Sequence, residues 1–177
     1  MNTNLLRRVA RRKQMLGLIA LAALGVAAWL LLSQNDERII RRALREAALA
    51  LEKDGPENPI AAARRAERVA EILTANPAIA GFGMDARWNS RSEARSAIFH
   101  ARAAAQRISV SLHDLSVTVD PSREQAIMTG TADVRGIAAQ DRSAGREFVE
   151  FEAEWTKTPD GWRLAVLRRI EAVRRIP

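Results

Sequence analysis

The sequence predicts an α+β domain carried behind a single membrane-spanning helix, and three observations carry that prediction. Residues 15–32 hold no charge at all. Between residues 36 and 106 apolar side chains recur at helical spacing in three separate runs, and from Ile108 almost to the end they alternate instead. Helices first and strands afterwards imply an antiparallel sheet, curved around the helices into a cone.

Met15 to Leu32, MLGLIALAALGVAAWLLL, is eighteen residues long. As a helix it covers about 27 Å, close to the ~30 Å hydrocarbon thickness, and it satisfies its own backbone groups where water is absent. Arg7, Arg8, Arg11, Arg12 and Lys13 precede it, with no acid among residues 1–14. That bias keeps the N-terminus in the cytoplasm and sends residues 33–177 outside. Trp29 falls near the exit, where an indole ring rests at the headgroup level. The competing reading is a cleaved secretory signal with small residues at Val26-Ala27-Ala28, but Trp29-Leu30-Leu31-Leu32 carries the apolar run past that cut. Three segments follow: a basic cytoplasmic tail (1–14), a signal-anchor helix (15–32) and an exported domain (33–177).

The exported part is one ordinary domain long. Of the net charge of +7, the first fourteen residues contribute +5, so the domain is nearly balanced. A nucleic-acid partner is therefore not expected, and the basic tail suits topology and anionic lipid. Cysteine is absent, which removes disulfides, thiol nucleophiles and cysteine-ligated metals.

In the domain, Ile40, Leu44, Ala47 and Leu51 mark the buried stripe of a helix over 36–53, which Asp54-Gly55-Pro56 ends. Asn58 caps a second helix with Pro59 at its first position; Ile60, Ala63, Ala66, Val69, Ala70 and Leu73 form its stripe until Asn76-Pro77. Residues 79–89 read as one or two short irregular strands. Ser90-Arg91-Ser92-Glu93 has capping-box spacing and opens a third helix running to about Gln106, with Ala94, Ala97, Ile98, Ala101, Ala104 and Ala105 on its apolar face.

Four strands are implied after that. Ile108, Val110 and Leu112 are out of phase with Leu115, Val117 and Val119, so His113-Asp114 marks a bulge. Pro121-Ser122 turns the chain into a strand with Ala126, Met128, Ala132 and Val134 on its apolar side. Residues 136–145, with two glycines, read as a loop. Val149, Phe151, Ala153 and Trp155 then alternate with Glu150, Glu152 and Glu154. Thr158-Pro159-Asp160-Gly161 is a strong turn, returning Trp162, Leu164, Val166 and Ile170 beside the previous strand. Pairing Thr158 with Gly161 sets Trp155 opposite Leu164, Ala153 opposite Val166 and Glu150 opposite Arg169. Three helices on an antiparallel sheet of four to six strands is the expected architecture.

With this order of elements, the Ser90-Arg91-Ser92-Glu93 box, the repeat from Ile108 to Val119 and the ending Trp155-Thr-Lys-Thr-Pro-Asp-Gly-Trp162-Arg-Leu, residues 36–173 resemble the nuclear transport factor 2-like, or SnoaL-like, superfamily. The likeness is to bacterial membrane-anchored members of unassigned role. It implies a pocket at the wide end of the cone and sheet-face dimers, and the charge bias around the span is read as placement at the bacterial inner membrane with the domain periplasmic. The superfamily houses enzymes, binders and assembly modules alike.

The residues speak against the superfamily's known chemistries. Members resembling ketosteroid isomerase use tyrosine, and this chain has none. Dehydratase-like members rely on histidine and acid pairs, and the two histidines, His100 and His113, sit at a helix-face edge and at the bulge, where structural roles suffice. Asp85 with Arg87, or Asp133 with Arg135, is the spacing of a solvated strand face. No metal spacing is present, and neither cofactor nor metal is expected. Phe99, Phe151, Trp155 and Trp162 are expected in the core; Trp88, in the irregular segment near the mouth, is a candidate contact residue. The candidate binding residues are therefore Trp88, His100 and the acidic row Glu150, Glu152 and Glu154.

The function expected from sequence is a non-catalytic binding or assembly module, an accessory subunit tethered beside other inner-membrane proteins. A homodimer, through the sheet or through Ala22, Ala23 and Gly25 of the span, is compatible with it. The alternative is a tethered binder, or an isomerase- or dehydratase-like enzyme, taking a small apolar ligand in the cone.

Overall fold

The computed structural model describes residues 35–82, 85–138 and 144–170. The predicted span, Met15 to Leu32 with Trp29, and the basic tail Arg7, Arg8, Arg11, Arg12 and Lys13 lie outside the described residues. Among those described, no helix is long and apolar enough to cross a membrane. A compact unit begins at Glu37.

Residues 35–51 form helix α1, with Ile40, Ala47, Ala48 and Ala50 buried. Its alanines let a neighbouring backbone approach closely. Helix α2 (Pro59–Glu71) starts as its sequence dictates: the Asn58 side chain accepts from Ile60 N at 2.8 Å, and Pro59 takes a position whose N–H would have no partner. Its buried face is Ala66, Val69 and Ala70, while Ile60 is exposed. The helix ends five residues before Asn76-Pro77. Leu73 has already left for strand β1 (Leu73–Ala80), where it lies beside Leu164. Pro77, fully buried, falls in the irregular register between Leu73 and Ala78, a position that needs no N–H.

A two-residue strand β2 (Ala86–Arg87) pairs with β1, and helix α3 (Arg91–Ala104) follows. Ser90 Oγ accepts from Glu93 N at 3.2 Å, and the Glu93 carboxylate reaches back to Asn89 N at 2.9 Å, one residue before the cap. Strands β3 (Ala105–Val119), β4 (Gln125–Ala138), β5 (Ala144–Thr158) and β6 (Gly161–Arg169) complete a sheet ordered β2-β1-β6-β5-β4-β3.

The sheet is mixed rather than antiparallel throughout, because β1 runs parallel to β6. The β3 bulge lies where the phase change put it, with a register shift after His113 and Asp114 at φ 51°. In the expected loop 136–145, residues 136–138 and 144–145 are strand: Gly136 pairs with Gly145, continuing the pairing of Arg135 with Arg146. Glycine facing glycine on neighbouring strands reads locally as a turn.

The β5–β6 hairpin starts in the expected register, Thr158 with Gly161 and Trp155 with Leu164, then shifts by one. Ala165 is the extra residue, so Glu154 meets Val166, Ala153 meets Leu167 and Phe151, not Glu150, meets Arg169. This turns Leu167 inward and Val166 outward. Ile40, Met128, Ala153, Trp155 and Trp162 pack in the core between helices and sheet. Phe99 is half-buried on α3 instead of in that core.

Candidate binding cavity

The helices do not fill the concavity of the sheet. A cavity of about 360 Å³ remains between them, within the usual range for small-ligand sites. Leu44, Ala48 and Leu51 of α1 wall it on one side and Ile98 of α3 on another, with Val110, Val134, Phe151 and Leu167 from the sheet. Met128 and Trp155, which could have plugged it, are packed in the core behind wall residues such as Phe151 and do not line it. Gly130 helps keep Phe151 where it is: a Cβ there would lie 2.6 Å from Leu115 Cδ2 and 3.1 Å from Phe151 Cζ.

Trp88 is half-buried and lines the cavity. Its backbone N–H donates to Pro77 O at 3.0 Å, which ties the segment to β1. The other candidates lie elsewhere. His100 is exposed and edge-on to Phe99, with ring centroids 5.7 Å apart, and His113 is exposed at the bulge. Neither forms part of the cavity wall, and no aspartate or glutamate does so among the described residues.

The acidic row is a solvent face with its own counterions. Arg168 pairs with Glu152 at 3.3 Å and also with Glu154, and Glu150 is exposed. Arg169, expected opposite Glu150, pairs with Glu147. Both aspartates of the two arginine–aspartate spacings accept hydrogen bonds within the fold. Asp85 accepts from Gly81 N at 2.9 Å. Asp133 is held by Arg146, through Nε and Nη2 at 3.0 Å each, and by Arg135 Nη2 at 2.7 Å. Those hydrogen bonds, Arg146 first, keep its carboxyl well below the usual carboxylate range.

The one charged wall residue among those described was not a candidate from sequence. Arg102 is 1% exposed. It follows Ala94 and Ile98 at four-residue intervals on the buried stripe of α3, and a charge in that position was the available signal. Its Nη1 donates to the carbonyls of Ala50 at 2.9 Å, Leu51 at 2.6 Å and Glu52 at 3.3 Å, and Nη2 donates to Glu57 Oε2 at 2.7 Å.

A family model described as the SnoaL-like domain matches residues 59–168. The chain belongs to the SnoaL-like family. None of the curated proteins matches it. Solved structures similar to this SnoaL-like domain include a candidate aromatic ring hydroxylase from Novosphingobium aromaticivorans, at 16% identity and TM-score 0.63, covering 81% of this chain and 91% of that one. A candidate dehydratase of the nuclear transport factor 2-like family from Streptomyces avermitilis has 16% identity and TM-score 0.62, covering 80% and 99%. A type 2 hexachlorocyclohexane dehydrochlorinase has 11% identity and TM-score 0.62, covering 84% and 96%. At these identities the likeness shows the fold alone.

Proposed function

We propose that this SnoaL-like domain binds a small apolar molecule in the cone cavity and holds it without transforming it. The carrying observation is the wall: about 360 Å³ enclosed by aliphatic and aromatic side chains, with Arg102 as the charged exception. Transfer of apolar surface out of water is the driving force such a wall offers. Isomerisation or elimination needs a group that moves a proton within hydrogen-bond reach of the ligand, and His100 and His113 are not on the wall. The names of the similar structures support small-molecule use of this fold, not a shared reaction.

The scaffold role expected from sequence has less support. It rested on the anchor, and of the candidate contact strip Glu150, Glu152 and Glu154, Glu152 and Glu154 are engaged by Arg168. Tethering stays in the proposal on the strength of residues 15–32, which would hold the domain beside the bilayer, a reservoir of apolar molecules. The test is native mass spectrometry of the full-length protein taken gently from membranes. A retained small molecule that disappears in Ala132→Leu, whose longer side chain occupies the cavity, supports the reading. Membrane proteins retained in fixed stoichiometry with an empty cavity would return the scaffold role to first place.

A further inference from the structure

The two sides of α1 carry different chemistry. Leu44, Ala48 and Leu51 line the cavity, whereas Arg38, Arg42, Arg45 and Leu49 recur at three- and four-residue intervals on the opposite side and are exposed. Helix α2 turns Ile60, Arg64 and Arg68 outward in the same way. The two outward faces are continuous: Leu49 and Arg68 line one groove between the helices, and Arg68 lines a second depression with Ile60 and Arg64.

Five arginines on this surface stand against two exposed glutamates, Glu46 and Glu71. Arg42 pairs with Glu46 at 2.7 Å. Of the six arginines without a hydrogen bond or ion pair among the described residues, four lie here: Arg38, Arg45, Arg64 and Arg68. Leu49 and Ile60, 62% and 65% exposed, are also the two most exposed large apolar side chains described. Free guanidiniums around exposed aliphatic side chains suit an anionic bilayer surface, where arginine meets lipid phosphate and leucine or isoleucine enters the headgroup layer. Chain length puts such a surface within reach, since α1 starts three residues after the apolar stretch 15–32 ends, about 10 Å of extended chain.

Resting on the tethering part of the function proposed above and not on the cavity, we propose that the outward face of α1 and α2 docks on the anionic lipid surface of the membrane that residues 15–32 enter. Helix α1 then stands between lipid on one side and the cavity on the other.

The test uses the full-length protein in lipid nanodiscs. The chain has no cysteine, so Leu49→Cys or Thr118→Cys carries a single fluorophore, the first on the proposed surface and the second on the exposed side of β3. A lipid spin-labelled at its headgroup quenches a fluorophore that touches it. In discs containing phosphatidylglycerol the label at 49 should be quenched and the label at 118 spared, and in phosphatidylcholine discs both should be spared. Arg64→Gln should lower the ratio of docked to free domain about fivefold in the anionic discs, the worth of one arginine beside anionic lipid. Adding Arg45→Gln and Arg68→Gln should bring quenching at 49 down to that at 118. Equal quenching at both positions overturns the docking surface while the tether stands, because the discs still hold the protein. Quenching at 49 that is indifferent to lipid charge overturns the part given to the arginines. Failure of the wild type to enter discs of either lipid overturns the tether itself.

Discussion

Arg102 and Lys53 each close the helix that the other belongs to or follows. Arg102, in the last turn of α3, donates to the carbonyls of Ala50, Leu51 and Glu52 at the end of α1. Lys53, two residues past α1, donates through Nζ to Arg102 O at 2.9 Å and Ala105 O at 2.5 Å at the end of α3. Both cations sit where unpaired carbonyls and the helix dipole favour positive charge. Lys53 also exchanges backbone hydrogen bonds with Ile108, at 2.9 and 2.8 Å, so the exchange is fastened to the start of β3.

The two residues should differ in what their loss costs. Arg102→Met leaves buried carbonyls unserved and takes the buried partner from Glu57, so a loss of about 3 kcal/mol is expected. Lys53→Met removes a more exposed cap and should cost about 1 kcal/mol. Denaturant midpoints of the two variants and the wild type check the order, and equal costs would contradict the burial argument.

Gly130 is predicted to resist even alanine. The added methyl would press on Leu115 Cδ2 and Phe151 Cζ and approach His113 O at 3.2 Å, so Gly130→Ala should destabilise by about 1–3 kcal/mol. Thermal unfolding measures the loss. Combining it with Leu115→Ala, which clears the nearest clash, should restore part of what the alanine removes.

Asp133 should make the fold sensitive to acid. Its folded-state pKa lies below its ordinary value of 3.8, through hydrogen bonds from Arg146 and Arg135, so its contribution is full at neutral pH and falls away as the carboxyl takes up a proton. The stability gap between wild type and Asp133→Asn is therefore expected to stay constant from pH 7 to about 5 and to narrow below about 4. Urea titrations at each pH would show it; a gap that widened in acid would have the wrong sign.

Trp88 offers an optical report on the cavity. Trp155 and Trp162 are buried in the core and off its wall, so ligand entry should change the emission of Trp88 and leave theirs nearly alone. Trp88→Phe is expected to abolish the ligand-induced change while binding persists by dialysis. Persistence of the change in that variant would move the occupied site elsewhere.

Much of this fold could be read from local pattern, and the exceptions share a cause. Capping at Asn58 and Ser90, the turn at Pro159-Asp160-Gly161 and the phase change around Asp114 are settled by residues within a few positions of one another. The departure of Leu73 from α2 into a parallel pairing with Leu164 is settled by a partner far along the chain, and no local periodicity encodes it. The cavity is harder still, being a volume left by three helices and a sheet. Trp88 stood out in the sequence because it had no apolar phase to belong to. Arg102 was hidden inside an alanine-rich stripe whose pattern it barely disturbs.

The unmatched Ala165 in β6 sorts its neighbours between oil and water. Ahead of it the hairpin keeps simple register; beyond it Leu167 joins the cavity wall and Arg168 meets Glu152 and Glu154 outside. In a strand kept in phase the two would trade places, and a guanidinium would enter the cavity. The stretch from Gly161 to Arg169 should thus accept many changes of residue but few changes of length, since a length change alters the address of every side chain after it.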